Sequence, residues 1–444
     1  MSFDRKSLLR KLSRLADLAG QPSRLVIGFS GGLDSTVLLH ALASLPENDG
    51  TPVLAVYIDH GLHDDSENWG EHCAAMARQL GVDYQNVAVR VPADSGQGME
   101  GAARVARYDA FREIVRPGDW LLSAHHKDDQ AETLLLNLLR GSGPAGLAGI
   151  GEVQPFSDGW LVRPVLSYSR NELREYATSH ALTWIDDPSN EDRQFDRNFL
   201  RHEVLSKLEM RWPEASSRLR QSALLAGEAA GLLDQLADSD LQSLGERPDR
   251  LSVSGLRDLS SARQRNLVRY VVRELGLPAP PSRQLMSIVT DLIPARDDAQ
   301  PIVQWAGAEI RRYRDQVYVL PGLAEDFDLS PRQVSGESLQ LGHGMGELRF
   351  ETGAGGGLSE NTVSAGLEVR FRKGGEEIKL PGQSHTKKLK KLLQEEGIVP
   401  WMRERLPLLY SRGKLVAVAD LWMSSAAVGD PGIAVHWKNR PPIH

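Results

Sequence analysis

A chain of 444 residues with 41% hydrophobic and 25% charged residues has the composition of an ordinary globular protein, and its length calls for two or three domains. No apolar run is long enough to span a bilayer, Met1 to Arg10 lacks a signal-peptide core, and the single cysteine, Cys73, excludes an internal disulfide framework or cysteine metal site. Cytoplasm is the simplest expectation; the net charge of −7 argues weakly against nucleic acid, but Arg370 to Arg405 holds ten Lys or Arg against five Glu, a local balance that suits it.

Taken in chain order, leucines at helical spacing over Leu8 to Leu18 predict a first helix. Four apolar runs follow with strand composition: Leu25 to Phe29, Val53 to Ile58, Tyr84 to Val91 and Trp120 to Ala124. Helical patterns at Ser66 to Leu80 and Gly101 to Val115 separate them, and such alternation predicts an α/β fold with a doubly wound parallel sheet. Ligands bind such sheets beyond the carboxyl ends of the strands, where Ser30, Asp59-His60 and His125-His126 fall. From Asn171 the chain reads as mainly helical to about Ile293, with a hairpin pattern at Pro301 to Leu320, a linker tip at Gly353 to Gly357, and a last module from Gly366. The expected domains are therefore an α/β unit at 1–214, a mainly helical middle at 215–325, and a small basic α+β domain at 366–444.

Ser30-Gly31-Gly32-Leu33-Asp34-Ser35 lies between the first strand and the helical run Thr36 to Leu42. A strand, a glycine turn and a helix make a cradle of backbone N–H groups for an anion. Glycines let a ligand approach the backbone, Ser30 and Ser35 add hydroxyls, and Asp34 adds a carboxylate suited to a metal ion beside phosphates. Neither the Walker lysine nor the third glycine of a dinucleotide fingerprint is present, and a turn that binds nothing is the bland alternative.

In His125-His126-Lys127-Asp128-Asp129-Gln130-Ala131-Glu132-Thr133, Asp129 and Glu132 share a helix face and suit an ammonium group or a magnesium ion. Acids complementing a helix dipole explain one of them, not the whole cluster. Arg140 to Gly149 is a glycine-rich loop. Arg104 and Arg107, three apart, suit phosphate or a solvated face. Arg197 and Arg201, four apart, suit an RNA phosphate backbone or ion pairs with Asp196 or Glu203. Lys387, Lys388, Lys390 and Lys391 surround Leu389, Leu392 and Leu393 on a basic amphipathic helix, followed by Trp401 and Arg403. The tryptophan either stacks on a base or belongs to the core.

Together these segments, with Asp59-His60-Gly61-Leu62, Arg163-Pro164 and Asp186 to Asn190, resemble the tRNA(Ile)-lysidine synthetase family of PP-loop ATP pyrophosphatases, adenine nucleotide alpha hydrolase-like in fold. The resemblance is dense over the first 200 or so residues and moderate over the last 60 or so. Departures are His63, Ala124 and Ile150, none at a position assigned to chemistry. The resemblance implies an ATP-dependent carbon–nitrogen ligase that adenylates the 2-oxygen of the wobble cytidine in an isoleucine tRNA with a CAU anticodon. The ε-amine of free L-lysine then attacks carbon 2, changing codon reading from AUG to AUA.

By the same resemblance Ser30 to Ser35, with Asp59 and His60, hold ATP, Asp34 sits near Mg2+, Arg104 stabilises phosphate charge, and Asp129 and Glu132 hold lysine. The base is His125 or one of those carboxylates. The tRNA contacts are Arg197, Arg201, Lys387, Lys388, Lys390, Lys391, Trp401 and Arg403; no membrane is involved, and a homodimer is plausible. A tRNA thiolase is the nearest rival, disfavoured by the lone Cys73, and a non-catalytic nucleotide sensor is the rival of a different class.

Overall fold

A computed structural model describes all residues except 1–2, 46–49, 62–64, 92–97, 297–298, 324–326, 343 and 354–355, so Leu62 and His63 lie outside the described residues. The chain forms two compact units, Met1–Leu233 and Asp234–His444.

In chain order the first unit contains α1 (Arg5–Ala19), β1 (Arg24–Gly28), α2 (Leu33–Ala43), β2 (Val53–Asp59), α3 (Ser66–Gln79), β3 (Asp83–Ala88), α4 (Gly98–Ile114), β4 (Asp119–Leu122), α5 (Lys127–Leu139), α6 (Pro144–Leu147), β5 (Val153–Phe156), β6 (Gly159–Val162) and α7 (Arg170–Ser179). The six strands form one sheet in the order β3-β2-β1-β4-β6-β5, parallel except for the antiparallel edge strand β5. Apolar residues on both faces of the inner strands make the sheet a middle layer. Leu25, Ile27, Ala55, Tyr57, Trp120 and Leu122 face a core shared with α1, α2, α3 and α7. The alternate residues Val26, Val56, Ile58 and Leu121 face Ala110 and Phe111 of α4. The strand order reverses at β1, between β2 and β4, which opens a crevice beyond their carboxyl ends.

The second unit is richer in strands than its sequence suggests. A four-stranded antiparallel sheet (250–252, 316–321, 308–313 and 302–305, in spatial order) packs with helices Ser261–Glu274 and Ser282–Ser287. The segment expected to be mainly helical is therefore mixed; Arg250–Ser252 is only 3 residues long, too short to show a period of two. Two further five-stranded sheets draw strands from Arg332 onward, ahead of the expected boundary at 366. Gly357, read as part of a linker tip, instead pairs with Gly429, and a Cβ on it would lie 2.5 Å from the Ile433 backbone. Tyr318 and Leu320 share one core with Leu389, Leu392, Leu393 and Trp437, which binds the middle sheet to the C-terminal sheets. Among the described residues no helix is long and apolar enough to cross a membrane.

Candidate active site

A cavity of about 440 Å3 opens at the crevice of the parallel sheet. One wall is the phosphate-loop candidate. Gly32 precedes α2 with no side-chain cap, so the first N–H groups of this 11-residue helix have no side-chain acceptor. Ser30, Gly32, Leu33, Asp34 and Ser35 line the cavity, and the Ser30 and Ser35 hydroxyls lie 3.2 Å apart.

Gly31 is the exception in this loop. It turns away, with φ +76, and its carbonyl accepts from Ile185 N at 2.9 Å and Thr36 Oγ1 at 3.2 Å. A Cβ there would lie 2.6 Å from Ile185 Cδ1 and 2.9 Å from Cys73 Sγ. Packing by itself therefore requires a glycine at 31, and Cys73 is a small buried residue beneath it.

Asp34 sits in the first turn of α2 with Oδ1 buried and unpartnered. Burial raises its pKa, against the nearby His126, Arg170 and Arg201. A carboxylate among anion-binding N–H groups repels phosphate unless a cation lies between them. Among the described residues no group of three His, Cys, Asp or Glu is arranged to hold a metal by itself.

The second wall follows β4. His126 caps α5 and is almost wholly buried, with ring nitrogens 3.5 to 3.7 Å from Asp34, Asp128 and Asp129. Asp129 accepts from the His126 backbone N–H at 2.8 Å. Burial alone would raise its pKa, but His126, His125 and Arg201 hold it below the ordinary value. Glu132 is 1% exposed and is taken up by Arg201, whose Nε lies 2.6 Å from one carboxylate oxygen and whose terminal nitrogen lies 3.2 Å from the other. Arg201 also reaches Asp129 at 3.4 Å. Arg201 is thus an ion-pair partner on the cavity wall, paired with Glu132 and Asp129 and not with the Asp196 or Glu203 considered from the sequence, and Glu132 lies behind it, outside the lining.

The remaining expected residues divide. His60, Arg104 and His125 line the cavity, as does Arg107, which donates to His60 Nε2. Asp59 does not line it; its carboxylate accepts from Gly61 N at 2.8 Å and closes a turn. Arg197 is half-buried and outside the lining. Arg403 is occupied by Ile398 O at 2.8 Å and the Tyr313 hydroxyl at 2.9 Å. Trp401 packs edge-on against Tyr318, 5.2 Å between centroids, with Arg311 over its ring, so it is built into the core. Lys387 and Lys391 both face Glu395, whereas the exposed Lys388 and Lys390 make no ion pair among the described residues. Sequence reasoning missed Arg170, a cavity residue at the first position of α7. The available signal was a cation where the helix dipole disfavours one.

Burial pushes both His60 and His125 down to about 4, helped at His60 by Arg107. Between pH 6.5 and about 4 the unfolded chain thus binds more protons at these sites than the folded one. Their contribution to stability is complete above pH 6.5 and is lost as pH falls toward 4. Thermal midpoints measured from pH 7 to pH 4 should fall, and less steeply in His60→Gln; an identical slope in the variant would remove His60 from this account.

The phosphate-loop wall and the crevice define an ATP-binding PP-loop domain, and residues 5–208 match the PP-loop domain family. Residues 251–318 match the TilS substrate binding domain and residues 367–437 the TilS substrate C-terminal domain. The chain is 43% identical to the tRNA(Ile)-lysidine synthase of Alkalilimnicola ehrlichii over 97% of each chain. It is 41% identical to that of Xanthomonas campestris pv. campestris, covering 96% of this chain and 98% of the other. With that of Methylococcus capsulatus it shares 38% identity over 93% and 95%. The chain belongs to the tRNA(Ile)-lysidine synthase family.

Proposed function

We propose that the chain joins free L-lysine to carbon 2 of the wobble cytidine of an isoleucine tRNA with a CAU anticodon, consuming ATP to AMP and diphosphate. The observation that carries this reading is a single cavity with a phosphate-binding helix start on one wall and the Asp129–Arg201 group on the other. One wall suits a triphosphate and the other an amino acid, which is both cation and anion.

The cytidine 2-oxygen attacks the α-phosphorus and diphosphate leaves; the lysine ε-amine then attacks carbon 2, and AMP departs with the former 2-oxygen. The first N–H groups of α2, with Ser30 and Ser35, bind the phosphates, and Arg104 meets charge that grows on them. The orphaned Asp34 oxygen fits a magnesium ion, and Asp34 would hold it. A magnesium ion there would supply charge neutralisation for the diphosphate.

Asp129, held ionised, faces the lysine ammonium or amine. Of the three bases considered, Glu132 is engaged by Arg201, which leaves Asp129 and the neutral His125 to take the amine proton. ATP, lysine and tRNA meet in the cytoplasm, where we place the reaction. Labelled lysine should enter a CAU isoleucine tRNA only with ATP, at one AMP per lysine; thiolation, or ATP hydrolysis indifferent to tRNA, would defeat the proposal.

Lys388 and Lys390 are our tRNA phosphate contacts. Reversing both (Lys388→Glu, Lys390→Glu) should weaken tRNA binding and reduce the slope of log K against log salt by about 2. An unchanged slope in a filter-binding titration would make them a solvated face only.

A further inference from the structure

Arg104, Arg107, Arg170 and Arg201 all line the cavity. Arg201 is matched by Glu132 and Asp129, Arg107 lies against His60, and Arg104 is exposed over the Tyr108 ring. Arg170 differs from all three. It is half-buried, its Nε is buried with no partner, and its side chain makes no ion pair among the described residues. Its backbone is fixed: the N–H donates to Asp128 Oδ2 at 2.9 Å, tying the start of α7 to the first turn of α5.

A cation here is unfavourable twice over. It sits at the positive end of α7, and it is partly desolvated without a matching carboxylate. Asp34 and Asp128 lie nearby but neither makes an ion pair with the guanidinium, so an anion from outside the protein is the direct partner this side chain lacks. Arg170 lines the same cavity as Ser30, Gly32 and Ser35, and its charge reaches Asp34 in the phosphate-loop wall, so a phosphate bound on that loop lies within its range. A guanidinium with free terminal nitrogens matches two phosphate oxygens at once.

We propose that Arg170 binds the diphosphate portion of ATP across the cavity from Ser30 to Ser35 and holds it as it leaves. The proposal rests on the ligase reading for the reaction but concerns only the phosphate end of the cavity. Asp128, through the Arg170 backbone, positions this side chain relative to α5.

Inorganic pyrophosphate titrated calorimetrically into the full-length protein, with magnesium present, tests it. Arg170→Ala should weaken pyrophosphate binding by about 10- to 100-fold, the effect of losing a charge-assisted bidentate contact. Arg170→Lys, which keeps the charge but not the fork, should lose less, and both variants should retain wild-type lysine and tRNA affinity. Retained tRNA affinity and an unchanged circular dichroism spectrum separate this loss from misfolding. Pyrophosphate affinity within twofold of wild type in Arg170→Ala would overturn the proposal. So would a selective loss of lysine affinity, which would give Arg170 to the amino-acid carboxylate. If the wild type transfers no lysine while the variants still lose pyrophosphate, the ligase reading fails and Arg170 keeps its phosphate.

Discussion

Glu132→Ala should lower the thermal midpoint of the catalytic unit by about 6 to 12 °C and reduce lysine transfer below detection. Glu132 is almost wholly buried, and both its carboxylate oxygens accept from Arg201. Removing it strands a guanidinium whose side chain is 23% exposed. Breaking a buried pair on one side costs about 3 to 5 kcal/mol, and this partial exposure places the effect near the lower end. The freed Arg201 then falls on Asp129, already 3.4 Å away, and cancels the carboxylate we propose for lysine. The double substitution Glu132→Leu with Arg201→Met should recover most of the stability and none of the activity, because it leaves no orphaned charge. Differential scanning calorimetry with a lysine-transfer assay reads both; a double variant as unstable as Glu132→Ala would show that the pair is not the source of the loss.

Gly31→Ala should reduce kcat/KM for ATP by about 100-fold, the scale of loss expected when reacting groups are misplaced by about an ångström. Its φ of +76 alone costs an alanine roughly 1 to 2 kcal/mol. The new methyl would also meet Ile185 Cδ1 at 2.6 Å and Cys73 Sγ at 2.9 Å, so the loop must shift. Ile185 leads into Asp186 and Asp187, which also line the cavity, so its displacement is felt in the site as well. Gly32→Ala is the contrast, since its Cβ would meet nothing closer than Ser30 Oγ at 3.5 Å. It should fold as the wild type does. Equal ATP kinetics in Gly31→Ala and the wild type would remove the packing explanation of this glycine.

These two residues also mark where the sequence was legible and where it was not. The inner strands β1, β2 and β4 were readable because each is a short apolar run bounded by turn residues, and their ends then placed Ser30, His60 and His125 at one crevice. Periodicity carries no information about partners far away in the chain. The carboxylate at Glu132 and the guanidinium at Arg201 were both visible as candidates, yet their pairing depends on tertiary packing between α5 and the helical turn Leu200–Leu205. The same limit applies to Gly31, whose reasons are Cys73 and Ile185, and to Trp401, which only Tyr318 and Arg311 assign to the core. The strands between Arg332 and Leu358 escaped notice because three of them are only two or three residues long and the fourth, Glu347–Gly353, takes its register from partners as distant as Lys438.

The central claim is that ATP activates the 2-oxygen of the wobble cytidine before lysine displaces it. It is tested most directly by a CAU isoleucine tRNA carrying oxygen-18 at that position. After one turnover with ATP and lysine, mass spectrometry should find the heavy oxygen in AMP and lysine on carbon 2 of the cytidine. Unlabelled AMP, with the heavy oxygen retained in the tRNA or released to water, would contradict the account.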